Sequence, residues 1–265
     1  MTNIIDAHCH IYPDAIADKA VQSIRAFYDL QMGQDGTVEG LKKAHDAAGI
    51  TRAVVHSVAT NPKQVRSIND FIAGAMKESG GRFTGLGALH PLSADMRGDI
   101  EHLLSLGLHG VKLHPDFQRF RLDDPVCDEM YALCRDAKLP LLIHTGDQRY
   151  DYSNPNRLLP VLERCPGLTV VGAHFGGWSL WEDAANALHG QKDLYVDCSS
   201  SLYALSKEKA RGLIRLYGAD RVLFGSDYPM WSPGEELKRL YALDLTDDEL
   251  QMILWGNAAR VFVIA

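Results

Sequence analysis

Eight short apolar runs recur along the chain, and each is rich in β-branched residues. They are apolar nearly throughout and not strictly alternating, which is typical of strands buried on both faces of a parallel sheet. After a longer first unit, a new run begins about every 25–30 residues. The runs cover residues 4–9, 52–58, 83–89, 110–114, 140–144, 168–174, 194–198 and 222–226.

The segments between the runs have helical periodicity, as in Ile100, Leu103 and Leu104. Helix-start signals agree with that interpretation, for example Thr246 three residues before Glu249. Eight strands alternating with helices predict an α/β fold, a (β/α)8 TIM-type barrel formed as a single domain over residues 1–265. An open doubly wound sheet uses the same elements and is the alternative.

Histidines are concentrated at the ends of these runs. His8 and His10 form a His-x-His pair at the end of the first run, where strand alternation points both side chains to one face. His144 ends the fifth run, His174 ends the sixth, and Asp227 follows the eighth. The carboxyl ends of barrel strands converge on one site. Four imidazoles and one carboxylate there predict a divalent transition-metal site.

Charge and cysteine content narrow the class of protein. Lysine and arginine total 27 against 34 aspartate and glutamate residues, which gives a formal net charge of −7. This acidic balance does not favour nucleic-acid binding or a basic membrane contact, so we expect a small-molecule substrate. The five cysteines lack CxxC spacing, and no apolar run reaches transmembrane length. We therefore expect a cytoplasmic protein.

The strand-end motifs resemble the amidohydrolase superfamily, and more narrowly its amidohydrolase-2 branch. That branch includes α-amino-β-carboxymuconate-ε-semialdehyde decarboxylase and related aromatic-acid decarboxylases. The resemblance extends from residue 4 to the C-terminus and is more specific for the superfamily than for a substrate. The motifs are Asp6-Ala7-His8-Cys9-His10, Gly110-Val111-Lys112-Leu113-His114-Pro115, Ile143-His144, Gly172-Ala173-His174-Phe175-Gly176-Gly177, Phe224-Gly225-Ser226-Asp227-Tyr228-Pro229 and Trp255-Gly256-Asn257-Ala258-Ala259-Arg260-Val261-Phe262.

The resemblance implies that His8, His10, His144 and Asp227 bind one divalent metal ion, with zinc as the expected metal. It also implies that His174 is the neighbouring base that orients or deprotonates the metal-bound water. A neutral imidazole suits both roles near neutral pH, and bound Zn²⁺ lowers the pKa of its water to about 7. Asp227 could bind the metal and also accept a proton, and the sequence leaves these two roles open.

Three other side chains near the strand ends have competing interpretations. Lys112 has three interpretations: a carbamate that bridges two metal ions, a free lysine that contacts an anionic substrate, or a lysine that serves in packing or in a salt bridge. The branch that the chain resembles does not require the bridge, so we expect one metal. His114 shares the face of Lys112 and is either a substrate group or a cap for the following turn. His56 falls inside the second run, where packing is a sufficient role.

The loops after the strands are expected to set specificity. Arg119, Arg121, Arg149 and Arg157 follow the fourth and fifth runs, and we expect one or two of them to contact a ligand. Later loops are rich in aromatic residues, which suit a small flat substrate. These aromatic residues could instead pack the loops or form the interface of a homodimer.

Two enzymatic functions fit this site. The first expectation is a hydrolase that uses metal-activated water to cleave a C–O or C–N bond of a small molecule. The alternative is a non-oxidative decarboxylase of an unsaturated or aromatic acid, in which His174 or Asp227 handles the proton. A purely structural metal is disfavoured, because a structural zinc needs no base beside it.

Overall fold

The computed structural model describes residues 3–264, which contain nine short strands and twelve α-helices. The strands are β1 (Ile5–His10), β2 (Arg52–His56), β3 (Phe83–Gly85), β4 (Gly87–Ala88), β5 (Val111–Leu113), β6 (Leu141–Ile143), β7 (Val170–Gly172), β8 (Leu194–Asp197) and β9 (Val222–Leu223). The helices are α1 (Asp14–Tyr28), α2 (Val38–Ala48), α3 (Val65–Glu78), α4 (Met96–Ser105), α5 (Pro115–Gln118), α6 (Asp128–Asp136), α7 (Pro155–Arg164), α8 (Trp181–Leu188), α9 (Lys207–Tyr217), α10 (Pro233–Tyr241), α11 (Asp247–Gln251) and α12 (Asn257–Phe262).

The strands are parallel, follow chain order and close into a ring. Neighbouring strands pair in the order β1-β2-β3 and, separately, in the order β4-β5-β6-β7-β8-β9. At the seam between the last and first strands, Ala7 N–H donates to Phe224 O at 2.8 Å and His10 N–H donates to Tyr228 O at 2.7 Å. The predicted (β/α)8 barrel is confirmed, and the open sheet is excluded.

The third predicted strand, over residues 83–89, is divided by Leu86. Leu86 N–H donates to Val55 O, whereas Gly87 N–H donates to Gly110 O, so the backbone changes partner at this point. The two halves, β3 and β4, therefore belong to two different hydrogen-bonded sheets. Together they occupy one strand position in the ring.

The interior of the ring is apolar at one end and polar at the other. Ile5, Val54, Leu142 and Val171 pack inside it with residues of the last helix, α12. A second and larger apolar layer fills the space between the strands and the outer helices. Because α12 closes the amino-terminal end of the ring, the polar strand ends gather at the opposite end. Within residues 3–264, no helix is long and apolar enough to span a membrane.

Gly225 allows the last strand to approach the first at the level of the strand-end histidines. A Cβ atom at Gly225 would lie 2.8 Å from His8 Cβ and 3.3 Å from Ser199 Cβ. The first distance is too short for two carbon atoms, and neither neighbour is the end of a flexible side chain. Glycine is therefore required here by close packing.

Gly225→Ala is expected to destabilise the fold by about 1–3 kcal/mol, the usual cost of overpacking a filled interior. Gly212→Ala is the matched control, because Gly212 lies in the middle of α9 and its added methyl group would meet open space. That control should gain about 0.5–1 kcal/mol from helix propensity. Urea unfolding of both variants measures the difference, and equal midpoints would contradict the close packing at Gly225.

Candidate metal centre

Three side chains at the polar end of the barrel bring their potential ligand atoms together. His8 Nε2 lies 3.3 Å from His10 Nε2 and 3.3 Å from Asp227 Oδ1, and the remaining side of the triangle is 3.5 Å. Bond lengths of about 2.0–2.1 Å to a tetrahedral Zn²⁺ give separations of about 3.3–3.4 Å between ligand atoms. The triangle therefore fits one face of the ligand shell around a divalent ion.

Three imidazoles are fixed so that one nitrogen atom of each faces this centre. His8 Nδ1 is 2.8 Å from Asp197 Oδ2, His174 Nδ1 is 3.0 Å from Ser199 O, and His144 Nε2 is 2.9 Å from Gly146 O. Each outer nitrogen faces an acceptor and therefore carries the proton. The inner nitrogen then has a free lone pair, which is the arrangement of histidines that bind metals.

His144 and His174 face each other across the centre. His144 Nδ1 is 3.1 Å from His174 Nε2, and the His174 ring also stacks on His8 with centroids 5.3 Å apart. Two lone pairs at this separation repel each other unless a proton or a cation lies nearby. The structure thus places His174 between His144 and His8. His144 and His174 both lie close enough to the centre to contact a metal ion or one of its ligands.

The carboxylate of Asp227 is oriented by its second oxygen atom. Ser200 Oγ donates to Asp227 Oδ2 at 2.5 Å and accepts a hydrogen bond from Trp231 Nε1 at 2.8 Å. Burial opposes ionisation of Asp227, but the adjacent His8 and His10 hold the pKa of this carboxyl well below its usual value. Asp227 therefore stays a carboxylate, as a metal ligand or proton acceptor must.

Two of these residues have strained backbones. His174 has φ of 60° and Asp227 has φ of 58°, in the left-handed region that favours glycine. Such residues cost about 1–3 kcal/mol each and are concentrated at functional sites. Their occurrence at two of the five predicted positions supports a functional role for this end of the barrel.

Lys112 points into the centre and not toward a surface partner. The side chain is fully buried, and Nζ lies 3.1 Å from His8 Nε2. Burial lowers the pKa of Lys112 to about 8, although the carboxylates of Asp227 and Asp197 oppose that change. Lys112 also borders the cleft, so the structure favours a role at the site over peripheral packing.

Burial keeps five histidines at or beside the centre neutral. It lowers the pKa values of His10 and His174 to about 4, and it lowers those of His56, His114 and His144 well below the usual value. Neutral imidazole is the form that binds a metal ion. The centre is thus prepared for a cation at neutral pH.

His56 has a more specific position than the sequence indicated. It ends β2, and its ring centroid is 4.4 Å from that of His10 and 5.0 Å from that of His8. Both of its ring nitrogens, and His10 Nδ1, are buried without a hydrogen-bond partner among the described residues. Sequence reasoning missed it because the strand was expected to continue to residue 58. A strand end at residue 56 would have grouped it with the other histidines.

A cleft opens above the centre, with about 330 Å³ of empty space that includes the solvent at its mouth. None of the four loop arginines is among its lining residues in the described part of the chain, so the expectation that one or two contact a ligand is not supported. Arg149 is bound to Asp147, and Arg157 to Asp123. The lining residues are His8, His10, Ile24, Tyr28, Met32, Lys112, His114, Phe117, His144, His174, Asp227, Pro229 and Met230.

Comparison with known families gives the class of the protein. The model of the Amidohydrolase family matches residues 5–264. The chain belongs to this amidohydrolase family. This amidohydrolase is also 26% identical over 234 residues to the 2-amino-3-carboxymuconate-6-semialdehyde decarboxylase of Dictyostelium discoideum. The match covers 72% of the chain and 64% of that relative. Metal dependence is a property of the family, and the histidine and carboxylate groups described above are its candidate ligands.

Solved structures share the fold of this amidohydrolase over nearly the whole chain. An uncharacterised TIM-barrel protein from Bordetella bronchiseptica has a TM-score of 0.81 and 25% identity, with 98% of each chain covered. A 5-carboxyvanillate decarboxylase from Novosphingobium aromaticivorans, in complex with manganese, has a TM-score of 0.77 and 17% identity, with 98% and 96% covered. A chain from Pseudomonas putida assigned as a 2-pyrone-4,6-dicarboxylic acid hydrolase has a TM-score of 0.72 and 19% identity, with 100% and 98% covered. The last two likenesses show the fold alone.

Substitution of His8 and His174 should separate metal binding from catalysis. His8→Ala removes one corner of the ligand triangle, and we expect the purified protein to hold well under half an equivalent of metal. His174→Asn should retain about one equivalent and lower kcat by two or more orders of magnitude, the usual loss for a general acid–base group. Metal content by mass spectrometry and initial rates measure both.

His189→Asn, on the exposed end of α8, is the control and should match the wild type. A fully active His174→Asn protein would remove His174 from the mechanism.

The metal-free protein should lose stability as the pH falls from about 6.5 toward 4. An unfolded histidine takes up a proton near pH 6.5, whereas the five buried histidines with lowered pKa values resist it until lower pH. Each such group contributes up to about 1.4 kcal/mol per pH unit in that window. Urea unfolding of chelator-treated protein at pH 7, 6 and 5 measures the slope. His56→Gln should reduce the slope and His189→Gln should leave it unchanged, and a stability independent of pH would contradict the prediction.

Proposed function

We propose that this amidohydrolase is a metal-dependent, non-oxidative decarboxylase of a small, flat acid that carries a single negative charge. The observation that carries the proposal is the buried Lys112 ammonium group, 3.1 Å from His8 Nε2 beneath the cleft. Among the cleft-lining residues of the described chain, Lys112 is the one lysine or arginine. One fixed cation suits one substrate carboxylate.

The charges of the centre also favour an anionic substrate. Lys112 carries a positive charge, Asp197 and Asp227 each carry a negative charge, and burial keeps His10, His144 and His174 neutral. With a divalent ion bound, the ion, Lys112, Asp197 and Asp227 would together carry one positive charge in excess. Buried charges need partners, and a monocarboxylate in the cleft would supply the missing one.

Lys112 would lose its hydrogen-bond acceptor, the lone pair of His8 Nε2, when a metal ion binds. In the structure Lys112 Nζ donates to that lone pair. When a metal ion uses the same lone pair, the ammonium group needs another acceptor. The cleft lies directly beside it, so the carboxylate of an acid bound there is the acceptor we propose.

One wall of the cleft includes three stacked rings. The ring of His114 lies between Phe117 and His144, with centroid separations of 3.8 Å and 4.0 Å and interplanar angles of 8° and 5°. Apolar side chains of Ile24, Met32 and Met230 also line the cleft. A planar, unsaturated acid fits such a wall better than a bulky saturated one.

The proposed reaction breaks the bond between the carboxylate carbon and the adjacent unsaturated carbon. A bound divalent ion would stabilise negative charge on substrate oxygen atoms as a Lewis acid. Lys112 holds the carboxylate, which leaves as CO₂, and the electron pair stays on the carbon. His174 has its Nδ1–H fixed by Ser199 O, so Nε2 takes a proton from solvent and gives it to that carbon. Asp227, held as a carboxylate beside His8 and His10, stabilises the protonated imidazole.

The named relative from Dictyostelium discoideum supports this choice, since it is a decarboxylase, although the match covers only part of its length. The hydrolase that the sequence favoured first remains the second candidate. It is supported by the fold shared with the chain assigned as a pyrone dicarboxylic acid hydrolase. In that reaction His174 and Asp227 would take the proton from the attacking water. We propose zinc as the resident ion on the basis of the nitrogen-rich ligand set.

The product distinguishes the two functions. Metal-loaded protein incubated in D₂O with a panel of hydroxylated aromatic and unsaturated acids should release CO₂. The product should carry one deuterium at the carbon that lost the carboxylate. Mass spectrometry of the product and a coupled bicarbonate assay measure both. Release of a new acid, alcohol or amine without CO₂ would identify the hydrolase instead.

Lys112→Met tests the observation behind the proposal. We expect kcat/KM for the acid to fall about 100-fold, mainly through KM, with metal content unchanged, because a single charged contact contributes about 2–3 kcal/mol. Lys209→Met, on the exposed surface of α9, is the matched control and should behave as the wild type. An unchanged KM in Lys112→Met would contradict the proposed carboxylate contact.

A further inference from the structure

Tyr28, the last residue of α1, extends from the outer helix layer to the cleft. Its hydroxyl oxygen lies 3.0 Å from His114 Nε2. The ring edge packs on Trp178 with centroids 5.2 Å apart, and the Arg149 guanidinium lies 5.4 Å from the ring centroid. The hydroxyl group is therefore held at a fixed place on the cleft wall.

The direction of the hydrogen bond between Tyr28 and His114 follows from the other nitrogen of His114. His114 is the N-cap of α5, and its Nδ1 accepts a hydrogen bond from Phe117 N–H at 3.4 Å. A nitrogen that accepts from a backbone N–H carries no proton, so the proton of the neutral ring is on Nε2. His114 Nε2–H consequently donates to the Tyr28 oxygen.

The proton of the Tyr28 hydroxyl then needs a different acceptor. Among residues 3–264, His114 is the one hydrogen-bond partner of this oxygen atom, and it acts as the donor. Tyr28 lines the cleft together with His144, His174 and Asp227. The free O–H is thus available to whatever occupies the cleft.

We propose that Tyr28 and His114 form a subsite that donates one hydrogen bond to an oxygen atom of the substrate other than the carboxylate held at Lys112. This inference rests on the proposed function and narrows its substrate class. The substrate would be a flat acid that also bears a hydroxyl or carbonyl oxygen. A donor fixed before binding adds selectivity, because an acid without that oxygen leaves the polar hydroxyl of Tyr28 unpaired.

Binding of simple aromatic acids tests the subsite without turnover. Wild-type protein loaded with one equivalent of zinc is titrated calorimetrically with benzoate and with the three monohydroxybenzoates. We expect at least one hydroxybenzoate to bind about tenfold more tightly than benzoate, the scale of one hydrogen bond. In Tyr28→Phe that preference should fall to within about twofold, with the benzoate Kd and the zinc content unchanged.

Tyr150→Phe is the matched control, because Tyr150 packs on the same Arg149 side chain but does not line the cleft. It should keep the wild-type preference. A preference that persists in Tyr28→Phe would overturn the subsite and leave the proposed function standing. Failure of the wild type to bind any of the four acids would contradict the proposed function and, with it, the substrate class named here.

The tautomer of His114 provides a second test that does not depend on the reaction. Protein labelled with ¹⁵N-histidine should show His114 protonated on Nε2, and the signal is assigned by its loss in His114→Gln. Protonation on Nδ1 would reverse the hydrogen bond to Tyr28 and overturn the proposal.

Discussion

The orientation of three imidazole rings is the constraint on which the centre depends. His8, His144 and His174 could each present a protonated or an unprotonated nitrogen to the cleft, and only the tautomer with its proton on the outer nitrogen leaves a lone pair there. Outer acceptors make that choice, through Asp197 for His8 and through backbone carbonyls for the other two. Asp197 also accepts from the backbone N–H of His174, so one buried carboxylate holds two strand ends in register. Ring geometry, neutral charge and the fit to a cation all follow from these fixed contacts.

Much of the fold and part of the site were predictable because they depend on local pattern. Apolar runs of strand length predicted the eight positions of the barrel, and the strand-end residues His8, His10 and Asp227 do meet in one triangle. Strand polarity alone brings such residues together. The break at Leu86 was not predictable, because it depends on which neighbouring strand each backbone group faces.

The residues that sequence reasoning missed act through tertiary contacts. Asp197 ends β8 as His144 follows β6, so its strand-end position could have indicated a role. Ser199 contributes through its backbone carbonyl, which faces His174, and through its hydroxyl group, which donates to Asp197, and neither contact is visible in the sequence. Tyr28 comes from a helix and reaches the cleft only because α1 ends beside it. For Arg149, the sequence suggested a ligand contact that the structure does not support. Its guanidinium group could bind a carboxylate of a ligand, but it is already paired with Asp147.

The triangle of potential ligand atoms joins the first strand of the barrel to the segment that follows the last strand. His8 and His10 end the first strand and Asp227 follows the ninth, and these strands touch only at the seam that closes the ring. During synthesis on the ribosome, the histidine pair emerges long before its carboxylate partner exists. An ion that met the nascent chain would find two imidazoles and exchange freely. Binding of an ion by all three side chains would therefore be a late event, because it requires the ring to have closed.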